Sequence, residues 1–157
     1  MKINIGLEEK DRTGSATILN HLLSDEFLLY TKTRNYHWNV TGRDFYELHK
    51  FFEIQYEALD EIMDEVAERV RALGSFAFGT MEQFSKFSRL KEAISDAPST
   101  GSMLQNLLND HETIIRHLRE DQQTAAEKYH DAGTSDFLTG LMEQHEKMAW
   151  MLRSFLS

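Results

Sequence analysis

The sequence predicts an all-α chain folded as a four-helix bundle with one long connection in its middle. Three observations carry this. Four long stretches place apolar residues at helical spacing, and short polar or glycine-bearing segments separate them. Breakers are scarce, with one proline and eight glycines in 157 residues, too few for a many-turned β protein. At this length the chain forms one domain, residues 1–157, able to bury roughly 70% of its unfolded surface.

The first helix is expected from about Thr13 to Trp38, with Ile18, Leu22, Leu29 and Leu19, Leu23, Tyr30 as its apolar rows, after a flexible tail of residues 1–12. It stops at the turn Asn39 to Gly42. The second starts at Asp44, whose carboxylate would cap the free amides while Glu47 completes a capping-box pair. It carries Phe45, Leu48, Phe52, Leu59, Met63, Val66, Val70 and Leu73 and ends at Gly74. From there to about Gly101 the chain is mixed. Met81 to Phe87 and Leu90 to Ile94 read as short helices, and Pro98 forbids a long one.

Thr100 or Ser102 would cap a third long helix carrying Leu104, Leu107, Leu108, Ile114, Ile115 and Leu118, fading near His130 to Gly133. Thr134 would cap a fourth carrying Phe137, Leu138, Leu141, Met142, Met148, Leu152 and Phe155. A long second connection between short first and third ones is the connectivity of ferritin-like bundles, with a short helix inside the long crossover.

Composition narrows the chemistry. No run approaches the ~18 to 20 apolar residues that span a bilayer, and the opening MKINIGLEEKDR lacks a signal peptide's apolar stretch, so a cytoplasmic protein is expected. Without cysteine there is no disulfide and no thiolate site, so any metal is held by His, Asp, Glu or water. The net charge of -9 repels phosphate. Lys2, Lys10 and Arg12 are balanced by Glu8, Glu9 and Asp11, so no basic arm is visible at the N-terminus.

On the second helix His49 and Glu53 are spaced i,i+4, as are Asp64 and Glu68, and all four fall on one side of the apolar stripe. The centres of the two pairs lie about 22 Å apart along the helix, too far for one chain to bring both to one ion. A two-fold-related copy crossing antiparallel near Ala58 and Leu59 would set His49 and Glu53 of one subunit against the other pair of its partner, twice per dimer. His37, in the last turn of the first helix, reaches towards His49, and Trp38 lies beside it. Two imidazoles and three carboxylates suit Fe(II), with zinc or manganese as substitutes, and leave positions open for an oxidant. Taken singly each residue has a bland reading, since helix carboxylates are usually solvated and a lone histidine usually caps or packs. The joint spacing carries the inference.

The run HWNVTGRDFYELHKFFEIQYEALDEIMDEVAERVRALG, from His37 to Gly74, resembles the signature region of the Dps family, the mini-ferritins called DNA-protection-during-starvation proteins. There the ferroxidase ligands fall as H-x11-H-x3-[DE] and D-x3-E, matched here by His37, His49, Glu53, Asp64 and Glu68. The likeness covers nearly the whole chain, including the closing EKMAWMLRSFL. It implies a ferroxidase that oxidises Fe(II), preferably with hydrogen peroxide, and stores ferric mineral inside a homo-dodecameric shell, protecting DNA under oxidative stress. It also implies that Trp38 intercepts stray oxidising equivalents, and that acidic residues near the start of the last helix, Asp131 and Asp136 with Glu143, line an iron-uptake pore.

Members that bind DNA directly often use a lysine-rich tail, and nothing comparable is present, so DNA binding is expected to be weak or absent. His111 and His145 fall within apolar stripes and read as satisfied core histidines, whereas His21, His117 and His130 read as surface residues. Glu127 and His130 form the only Glu-x-x-His, while a di-iron site within one bundle needs two. Two rival readings remain: a nucleoid-associated shell that coats DNA around structural metal sites, and a plain helical interaction module.

Overall fold

The computed structural model describes residues 3–92 and 98–157, and among them there are five helices and no strand: α1 Glu9–Asn39, α2 Phe45–Ala72, α3 Met81–Phe87, α4 Thr100–Glu127 and α5 Ala132–Leu156. Two antiparallel pairs build the bundle. α1 and α2 are tied at one end by Arg12 donating to the Leu73 carbonyl and at the other by His37 against His49. α4 and α5 are tied by Ser135 to Gln122 and by Arg153 to Glu112. The core between the pairs holds Leu19, Leu22, Leu29, Phe52, Leu59, Val66, Leu107, Ile114, Leu118, Leu138 and Leu152, all essentially inaccessible. No helix of the described residues is long and apolar enough to cross a membrane.

Helix starts depart from the sequence reading for local reasons. α1 begins at Glu9, four residues before Thr13, because Thr13 spends its hydroxyl on the Glu9 carbonyl inside the helix instead of capping it. Glu9 and Asp11 favour the positive end of the helix dipole, and Asp11 is buried, so residues 9–12 of the expected tail are an ordered first turn. Asp44 is the N-cap of α2, but its backbone is not extended and its carboxylate caps nothing, so the capping box with Glu47 does not form. A capping box appears instead at α3, between Thr80 and Gln83.

α4 is capped by Ser99, not Thr100 or Ser102, and the Thr100 hydroxyl donates to the Thr41 carbonyl of the first turn. α5 is capped by Asp131, which accepts from the Thr134 amide and hydroxyl, so Thr134 donates where capping was expected of it. The short helix Met81–Phe87 stands as expected. Leu90 to Glu92 are not helical, and the rest of the second expected short helix lies outside the described residues.

α2 ends at Ala72 and is capped by Leu73, followed by Gly74 at φ +91, a left-handed conformation that favours glycine. A Cβ there would also meet Ile3. The crossover is fastened to α1 by Arg89, whose guanidinium bridges Asp25 and Asp121. Asp25 has no exposed surface.

Candidate metal centre

The α1–α2 turn folds His37 back onto His49. The two imidazoles stack with centroids 3.8 Å apart and planes 21° from parallel. Each Nδ1–H donates to the other residue's backbone carbonyl, both at 2.8 Å. This reciprocal pair fixes both tautomers and leaves both Nε2 lone pairs free, the arrangement by which outer hydrogen bonds aim ligating histidines. His37 is buried and His49 half-buried.

Glu53 stands one turn beyond His49, half-buried, and accepts from the Lys50 ammonium at 2.6 Å. That hydrogen bond outweighs partial desolvation and, with the charge of Lys50, holds the Glu53 carboxyl below its ordinary value. Asp64 and Glu68 lie on the same helix, exposed, one helix-length step of about 22 Å away. The structure thus brings His37 and His49 together beside Glu53 and keeps Asp64 and Glu68 apart from them. Among the described residues no three His, Asp or Glu side chains converge closely enough within the chain to hold a metal. The exposed side of α2 adds Glu57, Asp60, Glu61 and Glu65, a surface that attracts cations.

Several neighbours were not read from the sequence. Phe45 stacks on His49 at 5.1 Å, and Tyr56 sets its ring edge-on to His37 at 5.2 Å. Tyr56 follows His49 by two helical turns, a spacing that could have flagged it. The Arg34 guanidinium lies over the rings of Tyr56, Trp38 and Tyr30 at 4.5, 5.3 and 5.6 Å. Trp38 is 64% exposed and contacts Arg34.

At the other end of the bundle Asp131 is buried, spent on the α5 cap and on Arg69 at 3.2 Å. Asp136 and Glu143 are exposed on α5, two turns apart and so on one face. His111 and His145 are core residues without exposed surface, as expected, but His111 Nε2 has no hydrogen-bond partner, so that ring is not fully satisfied. Of the other three, His130 is exposed, His117 is half-buried, and His21 is also half-buried, its ring bonded to the Phe87 carbonyl and edge-on to the Phe87 ring.

A family model described as a ferritin-like domain matches residues 16–157. The chain is 49% identical to an uncharacterised low temperature-induced protein of Nostoc, over 99% of this chain and 87% of that one. It is 36% identical to DNA protection during starvation protein 2 of Bacillus anthracis, over 89% of this chain and 94% of the relative. A crystal structure of the Dps protein from Vibrio cholerae, described as a member of a broad superfamily of ferritin-like diiron-carboxylate proteins, superposes with a TM-score of 0.92 at 32% identity, covering 100% of this chain and 98% of that one. With the family match spanning most of the chain and such relatives aligned along nearly all of it, the chain belongs to the ferritin-like family and, within it, to the Dps proteins.

Proposed function

We propose that this protein is an iron-storage and detoxification shell that oxidises Fe(II) at sites shared between two-fold-related subunits. The observation that carries the reading is the reciprocal anchoring of His37 and His49. It spends both Nδ1 atoms on backbone and leaves both Nε2 atoms, with Glu53 beside them, as half of a ligand set. Asp64 and Glu68 of a partner subunit supply the other half. An α2-to-α2 crossing near Ala58 is supported by the surface there: a groove of about 270 Å³ lined by Ile54, Gln55, Ala58, Gln144, Lys147, Met148 and Met151. Ile54, a large apolar side chain, is 59% exposed on that face, as expected of a surface completed by another copy.

Fe(II) is the substrate. Neutral imidazoles and carboxylates bind it without demanding a closed shell, and hydrogen peroxide reaches the open positions. Two Fe(II) each give one electron to one peroxide, which with two protons leaves as two waters, so no hydroxyl radical is released. The ferric product is stored as mineral in the cavity of a homo-dodecamer, and removing Fe(II) and peroxide together protects DNA. Asp136 and Glu143 line the uptake pore in this reading, with Asp131 holding the start of their helix. Trp38 catches stray oxidising equivalents at the rim, and DNA binding is weak because the chain is acidic.

The test is anaerobic addition of Fe(II) followed by hydrogen peroxide, recording ferric absorbance and hydroxyl-radical yield for the wild type and for Asp64→Ala combined with Glu68→Ala. Rapid, radical-poor oxidation that collapses in the double variant with the assembly intact is the expected result. Equal behaviour of wild type, variant and buffer would make these residues a solvated face.

A further inference from the structure

A chain of three polar side chains crosses the core where leucines would otherwise meet. Glu26 of α1, His145 of α5 and His111 of α4 each have no exposed surface. His145 Nε2–H donates to Glu26 Oε1 at 2.8 Å, and the Nδ1 atoms of His145 and His111 face each other at 2.9 Å. The two outer atoms, Glu26 Oε2 and His111 Nε2, have no hydrogen-bond partner. Neighbouring charges point elsewhere, Asp25 to Arg89 and Lys32 to Asp110. α2 offers the core only Gln55 as a buried polar side chain. Burying such groups costs stability that apolar packing would not.

The geometry counts protons. One hydrogen must lie between the two Nδ1 atoms, and one must lie on His145 Nε2 to satisfy the carboxylate. Two imidazole protons meet both needs, with His111 donating to His145. Three also meet them, with His145 charged against Glu26 and donating to His111. A fourth cannot be accommodated, because it sets two N–H groups of two adjacent cations against each other across 2.9 Å.

We propose that Glu26, His145 and His111 form an acid-triggered latch that ties α1, α4 and α5 together and is forced open when both imidazoles are fully protonated. Burial first, and the neighbouring His145 second, hold the His111 imidazole well below its ordinary value, in keeping with a site that refuses this proton. The unfolded chain takes it up near pH 6.5. Below that pH the unfolded state binds more protons than the native one, so stability is full above about pH 6.5 and falls as the pH is lowered. Each refused proton changes the unfolding equilibrium by up to tenfold per pH unit.

The full-length protein tests this through urea unfolding followed by circular dichroism at fixed concentration, from pH 7.5 down to pH 4.5. The comparison is the wild type against His111→Leu, which fills the site with apolar volume. Below pH 6.5 the wild-type unfolding constant rises up to tenfold more per pH unit than that of His111→Leu. Equal slopes overturn the latch. Should His111→Leu fail to fold, exchange of the imidazole C2 hydrogens in the wild type, read by mass spectrometry, decides the matter. His111 protonating only well below pH 6.5 supports the latch, and His111 and His145 both titrating like exposed histidines overturns it.

Discussion

Replacing Arg89 with methionine tests how the long crossover is held. Asp25 is fully buried and accepts from the Ser88 hydroxyl at 3.0 Å, from the Arg89 amide, and from Arg89 Nε at 2.8 Å. Arg89 Nη1 donates to Asp121, also at 2.8 Å. Methionine keeps most of the aliphatic volume and removes the guanidinium, so Asp25 keeps two hydrogen bonds and loses its cation. Breaking a buried pair costs about 3–5 kcal/mol. Because Arg89 retains 22% exposure and Asp121 can return to water, the low end applies, about 3 kcal/mol. For a chain of this size about 1 kcal/mol moves Tm by ~2–4 °C, so a fall of ~6–12 °C is expected. The assay is thermal and urea unfolding at pH 7 and one protein concentration. Combining Arg89→Met with Asp25→Asn should recover part of the loss, since the stranded charge is gone. A loss under about 1 kcal/mol, or costs of the two single substitutions that simply add within ~0.5 kcal/mol, would refute the reasoning.

Two further substitutions follow from the same bookkeeping of contacts. Asp131→Ala removes the α5 cap and an ion pair to Arg69, and should cost about 1–2 kcal/mol, read as a drop in Tm. Burial alone would raise the Asp131 carboxyl, but the Thr134 hydroxyl and amide and the Arg69 charge hold it below its ordinary value. Its contribution is therefore present above about pH 4 and lost as pH falls through the lower native value, so Asp131→Ala should flatten the acid limb of the stability profile. Gly14→Ala places a methyl 2.1 Å from the Tyr129 ring and should cost ~1–3 kcal/mol by overpacking, with the double variant Gly14→Ala, Tyr129→Ala costing less than the sum of the two single substitutions.

What could be read from the sequence follows from which interactions are periodic. The leucine rows of α4 and α5 and the stripe of α2 from Leu48 to Leu73 recur at helical spacing and lie in the core, except that Met63 is half-buried, whereas Phe45, expected in the same stripe, is 43% exposed. α1 is harder to read, because it packs against three other helices and buries Ser15, Asn20, Ser24, Asp25, Glu26, Lys32 and Thr33 alongside its leucines. Several of its polar residues pair with groups that come from 56 or more positions away, such as Asn20 with the Phe76 carbonyl, Lys32 with the Lys91 carbonyl and Glu26 with His145, and no local pattern announces such pairings. Caps failed for a related reason. Ser, Thr and Asp cluster at every helix start, and which one caps depends on a single backbone angle, extended at Ser99 and not at Asp44. Both halves of the candidate site were legible because i,i+4 spacing and the His37 to His49 turn are local. The surround of Phe45 and Tyr56 was not, because rings on helices usually mean core, nor was Arg34, whose stacking on Tyr56 depends on the packing of α1 against α2.

The central claim is that one site takes residues from two chains, and complementation tests it directly. Two inactive proteins are made, one carrying His37→Leu and Glu53→Gln, the other Asp64→Ala and Glu68→Ala, and they are unfolded together and reassembled as mixed shells. A mixed dimer then holds one site with every ligand intact and one that keeps only His49. The account predicts that peroxide-driven Fe(II) oxidation, absent from each parent assembly, returns in the mixture to about a quarter of the wild-type rate, because random pairing leaves that share of sites complete. A mixture as inactive as its parents, with mixed dimers demonstrated by mass spectrometry, would contradict a shared site.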